Sequence, residues 1–162
     1  MNESLQLENK TVSRSQVVMT QLVLPSHTNS LDTIFGGTIM SWIDIAAAIV
    51  AQRHSGREVV TASIDKLDFI APVKKGWVVN LKASINFTSK SSMEIGVRVD
   101  AENPKTQETF HTASAYLTFV AIGSDGKPTL VPGLTLENDD QRRRFENARK
   151  RRELRLQQRH QK

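Results

Sequence analysis

Regular alternation of apolar and polar residues marks the clearest strands of the chain. In residues 77–88 and 93–100 every second side chain is apolar or small. This period of two is typical of a strand with one buried and one wetted face. Residues 57–70 and 109–122 are rich in β-branched and aromatic side chains, which also favour strands. A fifth strand is predicted at residues 15–24, just before a proline.

One segment is apolar at most positions rather than at alternate ones. Of the fourteen residues 38–51, eleven are apolar, and the run is about four helical turns long. Gly56 lies just beyond it and is predicted to end the helix. An antiparallel sheet must bury one face, and this is the only long apolar helix predicted to cover it. The pattern therefore predicts an α+β fold, with an antiparallel sheet wrapped around one long central helix.

The same pattern divides the chain into three parts. Residues 1–14 show no apolar periodicity and are predicted to be a flexible N-terminal lead-in. Residues 15–135 contain the predicted strands and the central helix and form the predicted domain. Residues 136–162 are predicted to be a basic C-terminal helical tail, a charged extension whose few apolar contacts are Leu134, Leu136, Phe145 and Leu154.

Charge is distributed unevenly between these parts. The chain has 22 basic and 17 acidic residues, but residues 141–162 alone contain ten basic and two acidic ones. The predicted domain is therefore mildly acidic, which argues against a nucleic-acid-binding surface on the domain itself. The tail has the charge to contact nucleic acid or anionic lipid, although a solvated helix is the favoured interpretation. It has few apolar residues for a membrane-surface helix.

Composition excludes several kinds of chemistry. The chain has no cysteine, which removes disulfides, thiolate nucleophiles and cysteine-ligated metals. No two histidines have the i,i+4 spacing of a helical metal pair, so no metal site is predicted; they are His27, His54, His111 and His160. The first twenty residues have no apolar core of a signal peptide, and residues 38–51 are too short for a membrane span of about 20 residues. A cytoplasmic protein is expected.

A single carboxylate interrupts the apolar helix. Asp44 lies in the middle of residues 38–51, and its neighbours one and two turns away are nearly all small. An unpaired carboxylate in apolar surroundings costs several kcal/mol or shifts its pKa. Asp44 therefore either makes a structural hydrogen bond or serves a functional site that a ligand or a second chain approaches closely. Both interpretations stay open on the residues alone.

A Gly-Gly pair precedes this carboxylate by about two turns. Gly36 and Gly37 lie at the predicted helix start, where backbone N–H groups can stabilise a developing oxyanion. A tight turn explains the pair equally well.

The segment HTNSLDTIFGGTIMSWIDIAAA resembles the signature of the hotdog-fold acyl-CoA thioesterases, the group of brain-type and YciA-type enzymes. The matching positions are Asn29, Phe35, Gly36, Gly37 and Asp44. The segment VVTASIDKLDFIAPVKKGW also resembles the family, and the resemblance extends over about residues 15–133. One departure is Asp32, where the family commonly has glycine; the change affects the loop beside the expected site and bears on substrate preference.

The resemblance implies hydrolysis of acyl-CoA to free fatty acid and coenzyme A. Asp44 would act as general base or nucleophile, and Asn29, from the opposite subunit, would orient the water or polarise the carbonyl. The Gly37 N–H would contribute to an oxyanion hole. The resemblance also implies a homodimer with shared active sites, assembled as a trimer of dimers. Coenzyme A is part of the substrate, and no separate cofactor is implied.

Further residues are candidates for substrate binding, although each has an ordinary structural explanation. Thr61 is a candidate substrate or water contact, or a simple strand threonine, and Gly36 adjoins the expected oxyanion hole. Cations and hydroxyls at the entrance of the substrate tunnel would hold the coenzyme A phosphates and amides. The candidates are Lys90, Ser91, Ser92, Arg57 and Lys66. No more than two of these five residues are expected to touch the ligand.

Two other functions are considered. Hotdog dehydratases use a histidine with a carboxylate, but no histidine lies on the predicted helix near Asp44. A non-catalytic regulatory protein that binds acyl-CoA, with the tail as its DNA contact, is the alternative function. The presence of both Asn29 and Asp44 favours turnover.

Overall fold

The computed structural model describes residues 7–161. Its strands and α-helices are β1 Lys10–Thr11, β2 Val17–Leu22, α1 Gly36–Ser55, β3 Glu58–Phe69, β4 Val78–Thr88, β5 Ser92–Glu102, β6 Thr109–Ile122, β7 Leu134–Thr135 and α2 Asp139–His160. Two short 3-10 helices, Val12–Ser15 and Pro25–His27, flank β2. Five strands form one antiparallel sheet in the order β2-β4-β5-β6-β3, and β1 pairs with β7 in a separate parallel pair.

Helix α1 packs against the inner face of the sheet. Ile39, Ile43 and Val50 are buried in one cluster with the inward residues of β4, β5 and β6, such as Leu81 and Ile95. Burial of this apolar surface is the main favourable contribution to folding. The predicted arrangement of one antiparallel sheet around one long central helix is confirmed.

The ends of α1 follow from local chemistry. Gly56 has φ of +65° and its N–H donates to Gln52 O at 2.8 Å, a left-handed cap that glycine adopts without strain. The helix starts at Gly36, the first residue of the glycine pair that was predicted to lie at its start. This pair comes directly before the apolar run of residues 38–51.

Helix α2 lies on the outer face of the sheet. A register shift between Ile85 and Phe87 turns Phe87 to this face, where its ring packs 4.9 Å from that of Phe145. Arg151 lies 3.7 Å over the ring of Tyr116. The predicted charged helical extension is therefore present and docked on the sheet.

Two features differ from the expectations. Leu154 was expected to contact the domain but is 59% exposed, because α2 turns ionic side chains toward the sheet at that end. In the predicted lead-in, residues 1–6 lie outside the described residues, whereas Val12 is 2% exposed and belongs to the core. An isolated valine carries no periodic signal, so its burial was not visible in the pattern.

Candidate functional site

A hydrogen bond joins the centre of α1 to β3. Thr61 Oγ1 donates to Asp44 Oδ1 at 2.7 Å. Val59, two residues earlier on β3, packs against the core, so the strand period turns Thr61 toward α1 as well. Thr61 therefore bonds the carboxylate that interrupts the apolar helix.

Asp44 is half-buried in the single chain, not enclosed by apolar side chains. The α1 surface around it is open, since Gly37 and Ser41 are exposed and Met40 and Ile45 are 40% and 50% exposed. A narrow face with a carboxylate at its centre is thus accessible to a ligand or to another chain.

The Gly-Gly pair opens α1 two turns before Asp44. Among the described residues, no acceptor is found for the Gly36 and Gly37 N–H groups, since the first bonds of the helix come from Thr38 and Ile39 to Phe35 O. A Cβ on Gly37 would lie 2.7 Å from Phe35 Cε1, so a larger residue would displace that ring. Two free amides at the positive end of a helix dipole suit an oxyanion.

Asn29 organises its own loop. Its Oδ1 accepts from Leu31 N at 2.9 Å, from Thr33 N at 3.3 Å and from Thr33 Oγ1 at 3.1 Å, an Asx turn. The side chain is exposed, and within residues 7–161 its Nδ2 donates no hydrogen bond. Among residues 7–161, no hydrogen bond joins Asn29 to Asp44.

The backbone conformation at Asp32 explains why glycine suits this position. Its φ is +56°, a left-handed conformation that glycine adopts freely and that aspartate tolerates better than most residues. The loop backbone keeps its bonds, with Asp32 N donating to Asn29 O at 3.1 Å and Lys75 N to Asp32 O at 3.0 Å. Lys75 Nζ lies 3.7 Å from the Asp32 carboxylate, so the added charge is partly neutralised.

The remaining candidates make contacts other than with Asp44. Lys90 and Ser91 lie in the β4–β5 hinge and line a cavity of about 350 Å³ together with Pro128 and Leu130, and Ser92 is the first residue of β5. Arg57 follows the end of α1 and is exposed, and Lys66 pairs with Asp68 at 3.3 Å. None of these residues makes a hydrogen bond to Asp44 or Thr61.

The histidines serve other contacts. His27 accepts from Leu24 N at 3.0 Å and its ring packs 5.0 Å from that of Trp42. His54 is 1% exposed and bonds Pro132 O at 2.8 Å; burial lowers its pKa. His111 bonds Ser114 Oγ at 2.7 Å. No histidine makes a hydrogen bond to Asp44 within residues 7–161.

The β3 edge of the sheet was not singled out from the sequence. β3 lies at one end of the strand order and, among residues 7–161, pairs only with β6. Its apolar residues Val60, Ile64 and Phe69 are 51%, 38% and 51% exposed. A long open edge of this kind is a template for pairing with another chain, and Thr61 lies on it.

The described residues contain neither a helix that could span a membrane nor a side-chain group that could hold a metal ion. No helix in residues 7–161 is long and apolar enough to cross a membrane. No group of three or more histidine, aspartate and glutamate side chains in that range is placed to hold a metal ion.

The chain is similar to known proteins over most of its length. The sequence profile of the thioesterase superfamily matches residues 31–108. The uncharacterized acyl-CoA thioester hydrolase YkhA of Bacillus subtilis is 42% identical over 134 residues, 83% of this chain and 78% of that protein. The cytosolic acyl coenzyme A thioester hydrolase of Rattus norvegicus is 40% identical over 87% of this chain, which spans only 38% of the length of that relative.

Solved structures agree with these sequence relatives. An apo-hexameric acyl-CoA thioesterase has a TM-score of 0.90 and 39% identity, with 94% of this chain and 97% of that chain covered. An acyl-CoA hydrolase from Staphylococcus aureus, solved with butyryl coenzyme A, coenzyme A and coenzyme A disulfide, has a TM-score of 0.87 and 38% identity, with 94% and 93% covered.

Proposed function

The chain belongs to the thioesterase superfamily, and on that premise we propose that it hydrolyses acyl-CoA thioesters to free fatty acid and coenzyme A. The observation that carries the proposal is the Thr61–Asp44 hydrogen bond at the open face of α1, two turns after a pair of free glycine amides. A thioester hydrolase needs both a base or nucleophile and a donor for the carbonyl oxygen.

In the general-base form of the reaction, Asp44 takes a proton from a water molecule whose oxygen attacks the thioester carbon. Thr61 occupies Asp44 Oδ1, which orients the carboxylate and leaves Oδ2 to take the proton. The Gly37 N–H stabilises the oxyanion of the tetrahedral intermediate. The carbon–sulfur bond then breaks, and the departing thiolate takes up a proton to give coenzyme A.

In the nucleophilic form, Asp44 itself attacks and the C–S bond breaks to leave a mixed anhydride that water then opens. A single turnover in ¹⁸O-water, with enzyme in excess, separates the two forms. A general base puts one ¹⁸O atom into the fatty acid and none into the protein, whereas a nucleophilic Asp44 becomes labelled when water opens the anhydride at the Asp44 carbon.

We propose that Asn29 acts in the active site of a partner subunit. Within residues 7–161 it makes no hydrogen bond to Asp44. Its Oδ1 accepts hydrogen bonds from its own loop, and its amide Nδ2 remains free to donate to a carbonyl oxygen or a water. The open β3 edge supports a dimer that brings the two halves together. A trimer of such dimers is the proposed assembly, and a relative of this fold is hexameric.

The Staphylococcus aureus hydrolase has been solved as three variants, with alanine in place of an aspartate, an asparagine and a threonine. Those three residues are spaced along that chain as Asn29, Asp44 and Thr61 are in this one. This correspondence supports the proposed roles.

The coenzyme A end of the substrate is assigned to the β4–β5 hinge. Lys90, Ser91 and Ser92 offer a cation and hydroxyls beside a cavity of about 350 Å³, which suits a phosphate. Arg57 and Lys66 are the remaining proposed contacts, with Gly36 next to the oxyanion hole. Coenzyme A enters as part of the substrate, and the proposed location of the protein is the cytoplasm.

The test is release of free thiol from acyl-CoAs of increasing chain length. The wild-type protein should release thiol, and Asp44→Asn should not. Asp139→Asn is the matched control, because this carboxylate is 98% exposed on the opposite side of the sheet, and it should behave as wild type. If acyl-CoA binds to the wild-type protein without any thiol release, the proposal is rejected in favour of the non-catalytic acyl-CoA-binding regulator.

A further inference from the structure

The outer face of the sheet has a depression beside α2, on the side of the sheet that faces away from Asp44. Small residues form its floor, because Ser84 on β4 pairs with Gly96 on β5, and Ser114 on β6 pairs with Arg98 in the next row of the same face. These small residues and the flank of α2 enclose a cavity of about 410 Å³. We call it the outer basin.

Among residues 7–161, five cations and no carboxylate line the outer basin. Two of the cations come from the sheet and three from α2; they are Lys82, Arg98, Arg143, Arg144 and Arg151. The uncharged lining residues include hydroxyl and amide groups, among them Ser84, Ser114 and Asn147. Guanidinium groups together with hydroxyl donors are the groups that hold phosphate oxygens in proteins.

Two of these cations face each other directly. Lys82 and Arg98 are partners in the β4–β5 register and point to the same face. Like charges directly opposite one another on a sheet are destabilising. Arg98 has a carboxylate partner, Asp100 at 3.1 Å, whereas Lys82 has none within salt-bridge distance among residues 7–161. Within residues 7–161, the repulsion between Lys82 and Arg98 is therefore only partly offset. An anion bound between the two would offset it further.

The arginines from α2 are only partly neutralised. Arg143 and Arg144 share the single carboxylate of Asp140, and Arg151 pairs with Glu94 at 2.6 Å. Three carboxylates thus serve the four arginines of the basin, and Lys82 adds a fifth cation. The basin keeps positive charge after all its intrachain pairs are formed.

We propose that the outer basin binds a small phosphate-class anion with at least two negative charges, such as a diphosphate. The volume lies within the range of small-molecule sites, about 300–1,000 Å³. Because α1 and Asp44 lie on the inner face, this ligand is not the reacting thioester, and the site does not depend on the proposed hydrolysis.

The test is calorimetric titration of the full-length protein, in its native assembly, with inorganic pyrophosphate, ADP and coenzyme A. Lys82→Gln and Arg98→Gln should each weaken pyrophosphate binding about tenfold or more, the loss of one charged hydrogen bond. Lys150→Gln, on α2 but outside the basin lining, is the control and should bind as wild type. Binding should also weaken as salt concentration rises.

The three probes identify the source of the phosphate groups. Pyrophosphate and ADP binding with equal affinity indicates a free diphosphate, and tighter binding of ADP indicates a nucleotide. If coenzyme A binds to Lys82→Gln with wild-type affinity, it occupies only the active site. The proposal is overturned if the wild-type protein fails to bind pyrophosphate, or if Lys82→Gln, Arg98→Gln and Lys150→Gln all bind it equally.

Discussion

The two helices of this protein cover opposite faces of one sheet, and they are held there in different ways. Helix α1 has nine buried residues out of 20, most of them apolar. Helix α2 is longer, with 22 residues, but only Gln141 and Ala148 are buried. It docks instead through the Phe87–Phe145 contact and through ion pairs to the sheet.

The ionic docking of α2 has a buried component. Glu94 is 4% exposed and accepts from both Arg151 and Asn86. Arg155 forms a second pair with Asp65 on β3, the strand that carries Thr61. Most other α2 arginines pair within the helix, as Arg149 does with Glu146 and Glu153. A strongly basic segment can thus be part of the folded domain, with most of its arginines in ion pairs.

The largest expected effect separates α1, which carries the proposed catalytic carboxylate, from α2. Asp44→Asn on α1 should lower kcat about a thousandfold, the size of a lost general base, without unfolding the protein. Arg155→Gln on α2 should lower it only a few-fold, because Arg155 acts on β3 from the outer face. Steady-state thiol release measures both. Equal losses in the two variants would contradict the assignment of chemistry to α1 alone.

The next effect concerns apolar burial. Ile43 on α1 is 1% exposed, so Ile43→Ala should lower the free energy of unfolding by about 2–5 kcal/mol. Leu154→Ala on α2, where the side chain is 59% exposed, should change it by less than about 0.5 kcal/mol. Urea unfolding followed by circular dichroism gives both values. A large loss at Leu154 would mean that a partner chain buries it.

The buried ion pair is the smaller counterpart on α2. Arg151→Met leaves Glu94 without its charged partner and should destabilise the protein by about 2–3 kcal/mol, less than a fully buried pair because the Arg151 side chain is 25% exposed.

Two further variants sharpen this prediction. Adding Glu94→Gln to Arg151→Met should restore most of the stability, because the unpaired charge is removed. Arg149→Met, which breaks an exposed pair, should cost less than about 0.5 kcal/mol. The prediction would be wrong if Arg151→Met and Arg149→Met were equally mild in urea unfolding.

The smallest expected effect is pH dependence at the end of α1. Burial holds the pKa of folded His54 below its usual 6.5, so the unfolded chain binds this proton first as the pH falls. The stability contributed by neutral His54 is complete above about pH 6.5 and is lost as the pH falls toward the lowered pKa. Urea midpoints at pH 7.5 and 5.5 should differ less in His54→Gln than in the wild type. An unchanged difference would place the titration elsewhere.

Most of the fold was predictable because it follows from hydrophobic periodicity. The five strands and α1 were predicted within a few residues of their bounds, and the family, the fold class and the enzyme class are confirmed. The candidate site was predictable in its residue types, but its geometry was not. The Thr61–Asp44 bond joins residues 17 positions apart, and the alternation of a strand does not specify which helix residue a given strand side chain meets.

By itself, the sequence determined the sheet, the central helix with its interrupting carboxylate, and the basic character of the C-terminal segment, since each is a property of neighbouring residues. Only the tertiary structure decided that Thr61 bonds Asp44, that Asn29 Oδ1 bonds its own loop, and that α2 docks on the outer face through Arg151 and Arg155. Ion pairs and hydrogen bonds between distant segments depend on a few atoms brought together by the fold. Their partners therefore have no period or spacing from which they could be inferred.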